Sequence, residues 1–358
     1  MANYSDFYID YSKLDDFQRK LIDRRVNATF IVKGNAGTGK SLIALHKAKQ
    51  IAALGDSYCV IVYTKTLKQY FKEGLEGLDE SNVYHYHAWS SNPGLRKHVK
   101  YMIIDECQDF TAEEIQEMAS YAQYCLFFGD TAQSIMEFID PRYPENIRIV
   151  QTVEETACKF GISSAELEGN KLFYNYRITK QIADLAQPIG GIKGLTESCV
   201  REGPMPQLIE ATDYHAQLDR IIEIIANRGL ANVGILLPYN TRKKGGKYSV
   251  EYVKDYFKMK GVRYEYKYNA DEETIIDLDF NSTNPKIMTW WCAKGLQFKD
   301  VFIPGCSQII WGGLDKAIYV AVTRACERLY LCYSNTLDPK FPDESSGLYE
   351  IVGDVKLL

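Results

Sequence analysis

No pair of cysteines in this sequence stands at metal-ligand spacing and no CxxC occurs, although nine cysteines are scattered along the chain. That pattern argues against a structural zinc site or a dithiol redox motif, and free thiols in a reducing cytosol are the expectation. Long hydrophobic runs are missing too: nothing approaches the ~18 consecutive apolar residues of a membrane span. The opening stretch MANYSDFYIDYSKLDD is acidic and has no apolar segment of the secretory type. A soluble, cytoplasmic chain with no membrane partner is expected. Basic charge is not in excess, because 42 Lys and Arg face 47 Asp and Glu for a net charge of −5. Any nucleic-acid binding must therefore come from a local groove and not from a global field. Internal repeats are absent as well.

The 358 residues that remain to be explained are enough for two ordinary domains. Short apolar, β-branched runs occur at TFIVKG (29–34), YCVIVYT (58–64), YMIID (101–105) and YCLFFGD (124–130). Helix-like segments separate them: SLIALHKAKQIAAL, LKQYFKEGL and TAEEIQEMASYA, the last opened by a Thr111/Glu114 capping box. Strands alternating with helices predict right-handed crossovers and a parallel sheet. A second series follows residue 172, with strands predicted at PQLIEA, NVGILLP, VRYEYKY, PKIMTWW, DVFIPG and RLYLCYS, and helices at AQLDRIIEIIANRG and SVEYVKDYFKMKG. The fold class expected is α/β, two mostly parallel sheets flanked by helices, divided as 1–172 and 173–358. TRKKGGKYS (241–249) reads as a basic, solvated loop, and NADEETIIDLDFNSTNP (269–285) as an acidic, irregular connection.

The most specific chemical signal is Gly34-Asn35-Ala36-Gly37-Thr38-Gly39-Lys40-Ser41, placed directly after a strand and before a helix. Glycines in that context let backbone N–H groups curl around phosphate oxygens at a helix N-terminus. Lys40 is then expected on the β- and γ-phosphates of ATP, and Ser41 on Mg2+. YMIIDECQDF supplies the complement by putting Asp105 and Glu106 at the carboxyl end of a strand, where parallel sheets bind ligands. Asp105 is assigned to the Mg2+ shell and Glu106 to orienting and deprotonating the attacking water. By itself Asp-Glu at a strand end is a common solvated turn; the P-loop gives it a task.

Further stations follow in order: Gly129-Asp130 and Gln133 in FFGDTAQSI, Tyr176-Arg177 in NYRIT, TWWCAKGLQFKDVFIPG, and YVAVTRACERLYL. In the last, Arg324 interrupts an apolar stretch, and a buried guanidinium is costly unless strong acceptors receive it. In order and spacing these motifs resemble those of superfamily 1 helicases, in particular the branch of UvrD, Rep and PcrA, from Gln18 to about Leu331. The resemblance implies two RecA-like P-loop NTPase domains. It implies that Gln18 reads the adenine edge and that Tyr176 stacks on the base. Arg177 reaches the γ-phosphate and Gln133 senses it, while Arg324 acts as an arginine finger. Lys294-Gly295 would mark the loop joining ATP to nucleic acid, with Gln297 where the family has a ribose-binding glutamate. Trp291 stands where the family has a histidine. Two segments, YTKTL (63–67) and YHYHAWS (84–90), resemble the family's nucleic-acid contacts. Thr64, Lys65, His87 and Trp89 are carried over from them, with Trp290 and Trp291 as further stacking candidates. Were Trp290 and Trp291 in extended backbone, one of the two would face the core. His85 and His87 alone do not make a metal site.

The family's two large insertions find little room, either between Leu67 and Asp105 or between Arg177 and Thr289. Two readings follow. One is an ATP-dependent, Mg2+-dependent translocase or helicase on single-stranded DNA, of 3′→5′ polarity by resemblance of QSIMEF, with RNA the less favoured substrate. The other is a nucleotide-switch subunit that regulates a partner nuclease or effector in a phage-defence or repair complex, without unwinding.

Overall fold

A computed structural model describes residues 9–63, 65, 68, 78–136, 138–140, 143–269, 274–307 and 315–352. These fall into two compact units that change over in sequence between Asn175 and Tyr176. The predicted helix LKQYFKEGL, and Thr64 before it, lie almost wholly outside the described residues.

The first unit holds β1 (Phe30–Gly34), β2 (Tyr58–Val62), β3 (Val83–His85), β4 (Val99–Ile104), β5 (Ala122–Gly129), the hairpin of β6 (Phe138–Asp140) with β7 (Tyr143–Arg148), and β8 (Lys171–Leu172). Six of them form one sheet in the order β3-β2-β4-β5-β1-β8, and every pairing in it is parallel. A parallel sheet covered on both faces needs continuous apolar strands, and all five residues of β2 are indeed buried. One face packs Ile31, Ile61, Met102, Ile104 and Phe127 against Trp89, Phe110, Ile115 and Met118. The helix Ala112–Ser120 opens with the expected capping box, Thr111 and Glu114 each bonding the other's backbone N–H.

The second unit takes most of β9 (Asn175–Thr179), then β10 (Cys199–Arg201), β11 (Gln207–Glu210), β12 (Val233–Leu237), β13 (Glu265–Asn269), β14 (Thr274–Asp277), β15 (Lys286–Thr289), β16 (Phe298–Pro304), β17 (Ala325–Tyr333) and β18 (Glu350–Val352). Eight of these make a sheet in the order β14-β13-β15-β12-β16-β17-β11-β18. All its pairs are parallel except β13–β14, a two-strand antiparallel edge. The α/β class with two mostly parallel sheets is thus the observed one.

Three local expectations are corrected. PKIMTWW is not one strand: Thr289 caps a helical turn, Trp290–Ala293, by accepting from the Cys292 N–H. The segment 241–249 folds into a short helix, Arg242–Gly245, and a 3-10 turn, Gly246–Tyr248. Its basic residues Arg242, Lys243, Lys244 and Lys247 stay exposed, as expected of a solvated segment, with Lys247 over the rings of Tyr214 and Tyr248 and Arg242 over that of Tyr252. Within 269–285, β14 supplies regular pairing.

Candidate functional site

The sheet order decides what meets what. Strands β4, β5 and β1 are neighbours, so the residues following their carboxyl ends (105–109, 130–134 and 34–41) converge on one edge of the first sheet. After β1 the chain turns through Gly37 and Gly39, with φ of 85° and 91°, conformations that a side chain disfavours. The helix Lys40–Ala53 then begins without any side-chain cap, which leaves its first N–H groups for a ligand. Gly34 also has no room for a side chain, since a Cβ would lie 2.5 Å from Thr38 Oγ1 and 3.0 Å from Leu172 Cβ. Lys40 is buried, its ammonium donating to the Gly34 and Asn35 carbonyls at 2.8 and 3.1 Å. Asn175, at the other end of the unit's sequence, donates to the Ala36 carbonyl at 2.6 Å.

Gln18 sits in the helix Asp16–Asp23, where its side chain completes a capping box with Asp15. Its Nε2 also donates to the Thr38 carbonyl at 3.2 Å, placing the amide against the phosphate loop. The far end of the same helix is held by Lys47 from the helix that follows the loop. Lys47 is fully buried, and its ammonium donates to the carbonyls of Ile22 and Arg24.

Ser41 donates its hydroxyl hydrogen to Asp105 Oδ2 at 2.6 Å. The other carboxylate oxygen, Oδ1, is buried without a hydrogen-bond partner among the described residues. Such an orphan oxygen beside a serine hydroxyl is the donor set Mg2+ takes, hard oxygen ligands with room for water and phosphate. These residues fit the ion. Burial and the neighbouring Glu106 carboxylate push the Asp105 acid up to about 7, against the opposing pull of Ser41 and Lys40. Glu106 has φ 55° and ψ 46°, a left-handed backbone costing ~1–2 kcal/mol for a residue with a side chain. Strain of that kind is retained where geometry serves a site.

Gln108 ties the next strand in. Its Nε2 donates to Glu106 Oε2, its Oε1 accepts from the Asp130 N–H at 2.9 Å, and its carbonyl accepts from Ser134. Asp130, buried and raised in pKa by that burial, accepts from Gln133 Nε2 at 2.9 Å. A continuous chain of bonds thus runs Glu106–Gln108–Asp130–Gln133. The motif residue Gly129 is required here, because a Cβ would meet Cys107 Sγ at 2.5 Å and Gln108 Oε1 at 2.9 Å. The sequence reading singled out Gln133 but gave no task to Gln108, Asp130, Asn175 or Lys47. For Gln108 a signal was present, since its amide stands two residues after the glutamate.

In the second unit Arg324 is fully buried. Its Nε donates to the Val320 carbonyl at 2.9 Å, Nη1 to the Leu296 carbonyl at 3.1 Å and Nη2 to Thr323 Oγ1 at 3.2 Å. Within the unit, then, neutral oxygens receive the guanidinium, one of them from the turn carrying Lys294, Gly295 (φ 82°) and half-buried Gln297. Arg177 lies nearby: the Cys326 thiol, pushed up by burial, is pulled back by the charges of Arg177, Arg201 and Arg324. Arg201, which no motif marks, donates to the Arg177 carbonyl at 3.1 Å. Tyr176 is half-buried beside it.

Among the nucleic-acid candidates, Lys65 and His87 are exposed. Trp89 is fully buried and Trp290 is 3% exposed, so both rings serve their cores and offer no face to a base. Trp291 remains half-exposed, its ring 6.2 Å from that of Trp290 and nearly parallel. Two unpredicted neighbours accompany His87: Tyr63, at 5.8 Å between rings, and Arg148, whose guanidinium lies over Tyr63. Arg148 is fixed by a two-pronged pair with Glu114, both contacts 2.7 Å, and by the Asp109 carbonyl.

Residues 30–160 match the family model of the viral superfamily 1 RNA helicase core domain. This stretch, little more than a third of the chain, contains the phosphate loop, the carboxylate pair and GDTAQ. A solved structure that is similar is the C-terminal domain of a possible DNA helicase from Lactobacillus plantarum, 19% identical, with a TM-score of 0.38 over 49% of this chain and 98% of that one. No curated protein matches the chain. Over residues 30–160 the protein is similar to a superfamily 1 helicase core. No helix among the described residues is long and apolar enough to cross a membrane.

Proposed function

We propose that the protein is an ATP hydrolase that moves along single-stranded DNA, a superfamily 1 translocase or helicase of 3′→5′ polarity. The observation that carries this reading is the bond chain from the Ser41–Asp105 pair through Glu106, Gln108 and Asp130 to Gln133. It couples the phosphate loop to the end of a second strand, an arrangement suited to transmitting nucleotide state. Lys40 would leave its two loop carbonyls for the β- and γ-phosphates, and Ser41 with Asp105 would hold Mg2+. The ion, when bound, neutralises phosphate charge. Glu106, poised by its left-handed backbone, accepts a proton from the water that attacks the γ-phosphate. Gln18 reads the adenine edge and Tyr176 stacks on it, with Gln297 at the ribose. Arg177 and Arg324, gathered in the second unit, are assigned to the γ-phosphate charge that develops during transfer. Lys65, His87 and Trp291 remain the candidates for the strand, joined by Tyr63 and Arg148.

The test compares ATP turnover of the purified chain with and without single-stranded DNA or RNA, then strand displacement on duplexes with a 3′ or a 5′ tail. Strong stimulation by DNA and displacement on the 3′-tailed duplex are expected. Equal stimulation by RNA would shift the substrate class.

A second reading is favoured by one observation. The interval between Arg177 and Thr289 is taken up by β10–β14 and the helices flanking the second sheet, which leaves no described element to act as a duplex wedge. In that reading hydrolysis gates a partner nuclease or effector, and turnover appears only with the partner.

A further inference from the structure

Three of the buried lysines among the described residues are surrounded by oxygen. Lys47 has the Ile22 and Arg24 carbonyls and Gln50, and Lys40 has two loop carbonyls. Lys286 has the Ser282 and Asn284 carbonyls and the Glu265 carboxylate. This is what an ammonium removed from water requires. Lys267 differs from these three. It is 6% exposed, and its Nζ has one hydrogen-bond partner among the described residues, the Sγ of Cys292 at 2.8 Å. Cys292 is itself 5% exposed and a free thiol. An amine nucleophile and an oxidisable sulfur therefore face each other, with no other acceptor for Lys267 among the described residues.

We propose that Cys292 and Lys267 are a covalent modification site, which a small hydroperoxide converts into a reversible lysine–cysteine crosslink. In the first step the sulfur attacks the peroxide oxygen: the O–O bond breaks, the thiol is oxidised to a sulfenic acid, and hydrogen peroxide is reduced to water. In the second, the Lys267 side chain, once it has given a proton to water, attacks that sulfur as the amine. An S–N bond forms, the S–O bond breaks, and hydroxide takes up the amine proton to leave as water. Such condensation of a sulfenic acid with a nitrogen is known chemistry for cysteine. Two molecules of a thiol reverse it, returning Cys292 and Lys267 and leaving the reductant as a disulfide.

The placement gives the bond a consequence. Lys267 lies on β13, whereas Cys292 lies in the turn Trp290–Ala293 that runs into Lys294-Gly295 and Leu296, whose carbonyl holds Arg324. A crosslink pins that turn to the sheet edge. Slower ATP turnover on oxidation is expected; this part rests on the nucleotide reading above, and the bond itself does not.

The intact chain is treated with hydrogen peroxide, denatured in the presence of an alkylating agent, digested and weighed by mass spectrometry. The expected product is one species containing both the Lys267 and Cys292 peptides, lighter than their sum by two hydrogen atoms. It is lost on reduction with dithiothreitol and absent from Cys292→Ser and Lys267→Met. In Lys267→Met, Cys292 is expected to proceed to sulfinic acid, which shows that the sulfur is still reached if that variant folds; Cys292→Ser, a near-isosteric change, controls for folding. Recovery of wild-type Cys292 as sulfinic acid, as a disulfide or as unmodified thiol, with Lys267 free, would overturn the proposal. Turnover of the oxidised chain is expected to fall several-fold and to recover with dithiothreitol. A crosslinked chain with unchanged turnover would refute the regulatory consequence. A chain with no turnover before oxidation would count against the nucleotide reading only.

Discussion

Asp105 is the residue in which burial and chemistry conflict most openly. Its acid is raised from the ordinary carboxylate range to about 7, so between those values the folded chain holds a proton that the unfolded chain releases. Stability from this group is complete below the lower value and is lost as pH rises through the upper one. Asp105→Asn, which can still accept from Ser41, should therefore melt a few degrees above the wild type at pH 8 and close to it at pH 4, while turnover is lost. A thermal melt across pH checks the sign. Lys40→Ala should abolish turnover, and Glu106→Gln should keep ATP binding while hydrolysis drops by ~10² or more, as loss of a general base implies. Turnover at the wild-type rate in either variant would remove that residue from its assigned role. These side chains were legible because their chemistry demands given residue types at strand ends. Trp89 and Trp290 were not, because sequence spacing cannot tell a ring turned inward by a helical turn from one turned to solvent. Gln108 and Asn175 act on backbone groups of distant residues, contacts that only the folded chain displays.

At the level of elements, the helix Asp16–Asp23 is short and depends on its ends. One is the Asp15–Gln18 box, the other the Lys47 clasp. Lys47→Met is expected to leave the apolar packing of its stem but strand two buried carbonyls, at ~1–3 kcal/mol each at most. The predicted signature is a lowered melting temperature together with weaker ATP binding, measured by titration with a non-hydrolysable analogue, and turnover at saturation changed less than affinity. Thr111→Ala removes a cap from the helix Ala112–Ser120 and should cost about 1 kcal/mol, readable in denaturant unfolding without a change in nucleotide affinity. Most strands and helices could be anticipated from apolar runs and caps. The turn at 290–293 could not, since a β-branched, aromatic stretch favours strand locally and Thr289 redirects it by capping.

For the whole molecule, the two parallel sheets were foreseeable from alternation alone, whereas the order of their strands was not. That order gathers the ends of β4, β5 and β1, and no local signal encodes adjacency. Arg177 and Arg324, far apart in sequence, share one neighbourhood around Cys326 in the second unit. If that neighbourhood serves hydrolysis in the first unit, Arg324→Ala should hold ATP with near-normal affinity and hydrolyse it slower by ~10³ or more. Single-turnover kinetics beside equilibrium binding would separate the two, and wild-type turnover would refute the finger role.

The double engagement of Gln18 has a consequence for how the protein could be observed at work. One amide both caps a helix and touches the phosphate loop. A purine that draws this amide away must loosen the first turn of that helix, so base identity becomes visible as deuterium uptake. Backbone hydrogens at residues 16–19 should exchange faster with a bound adenine nucleotide than with inorganic triphosphate, a label-free record of which base has been admitted.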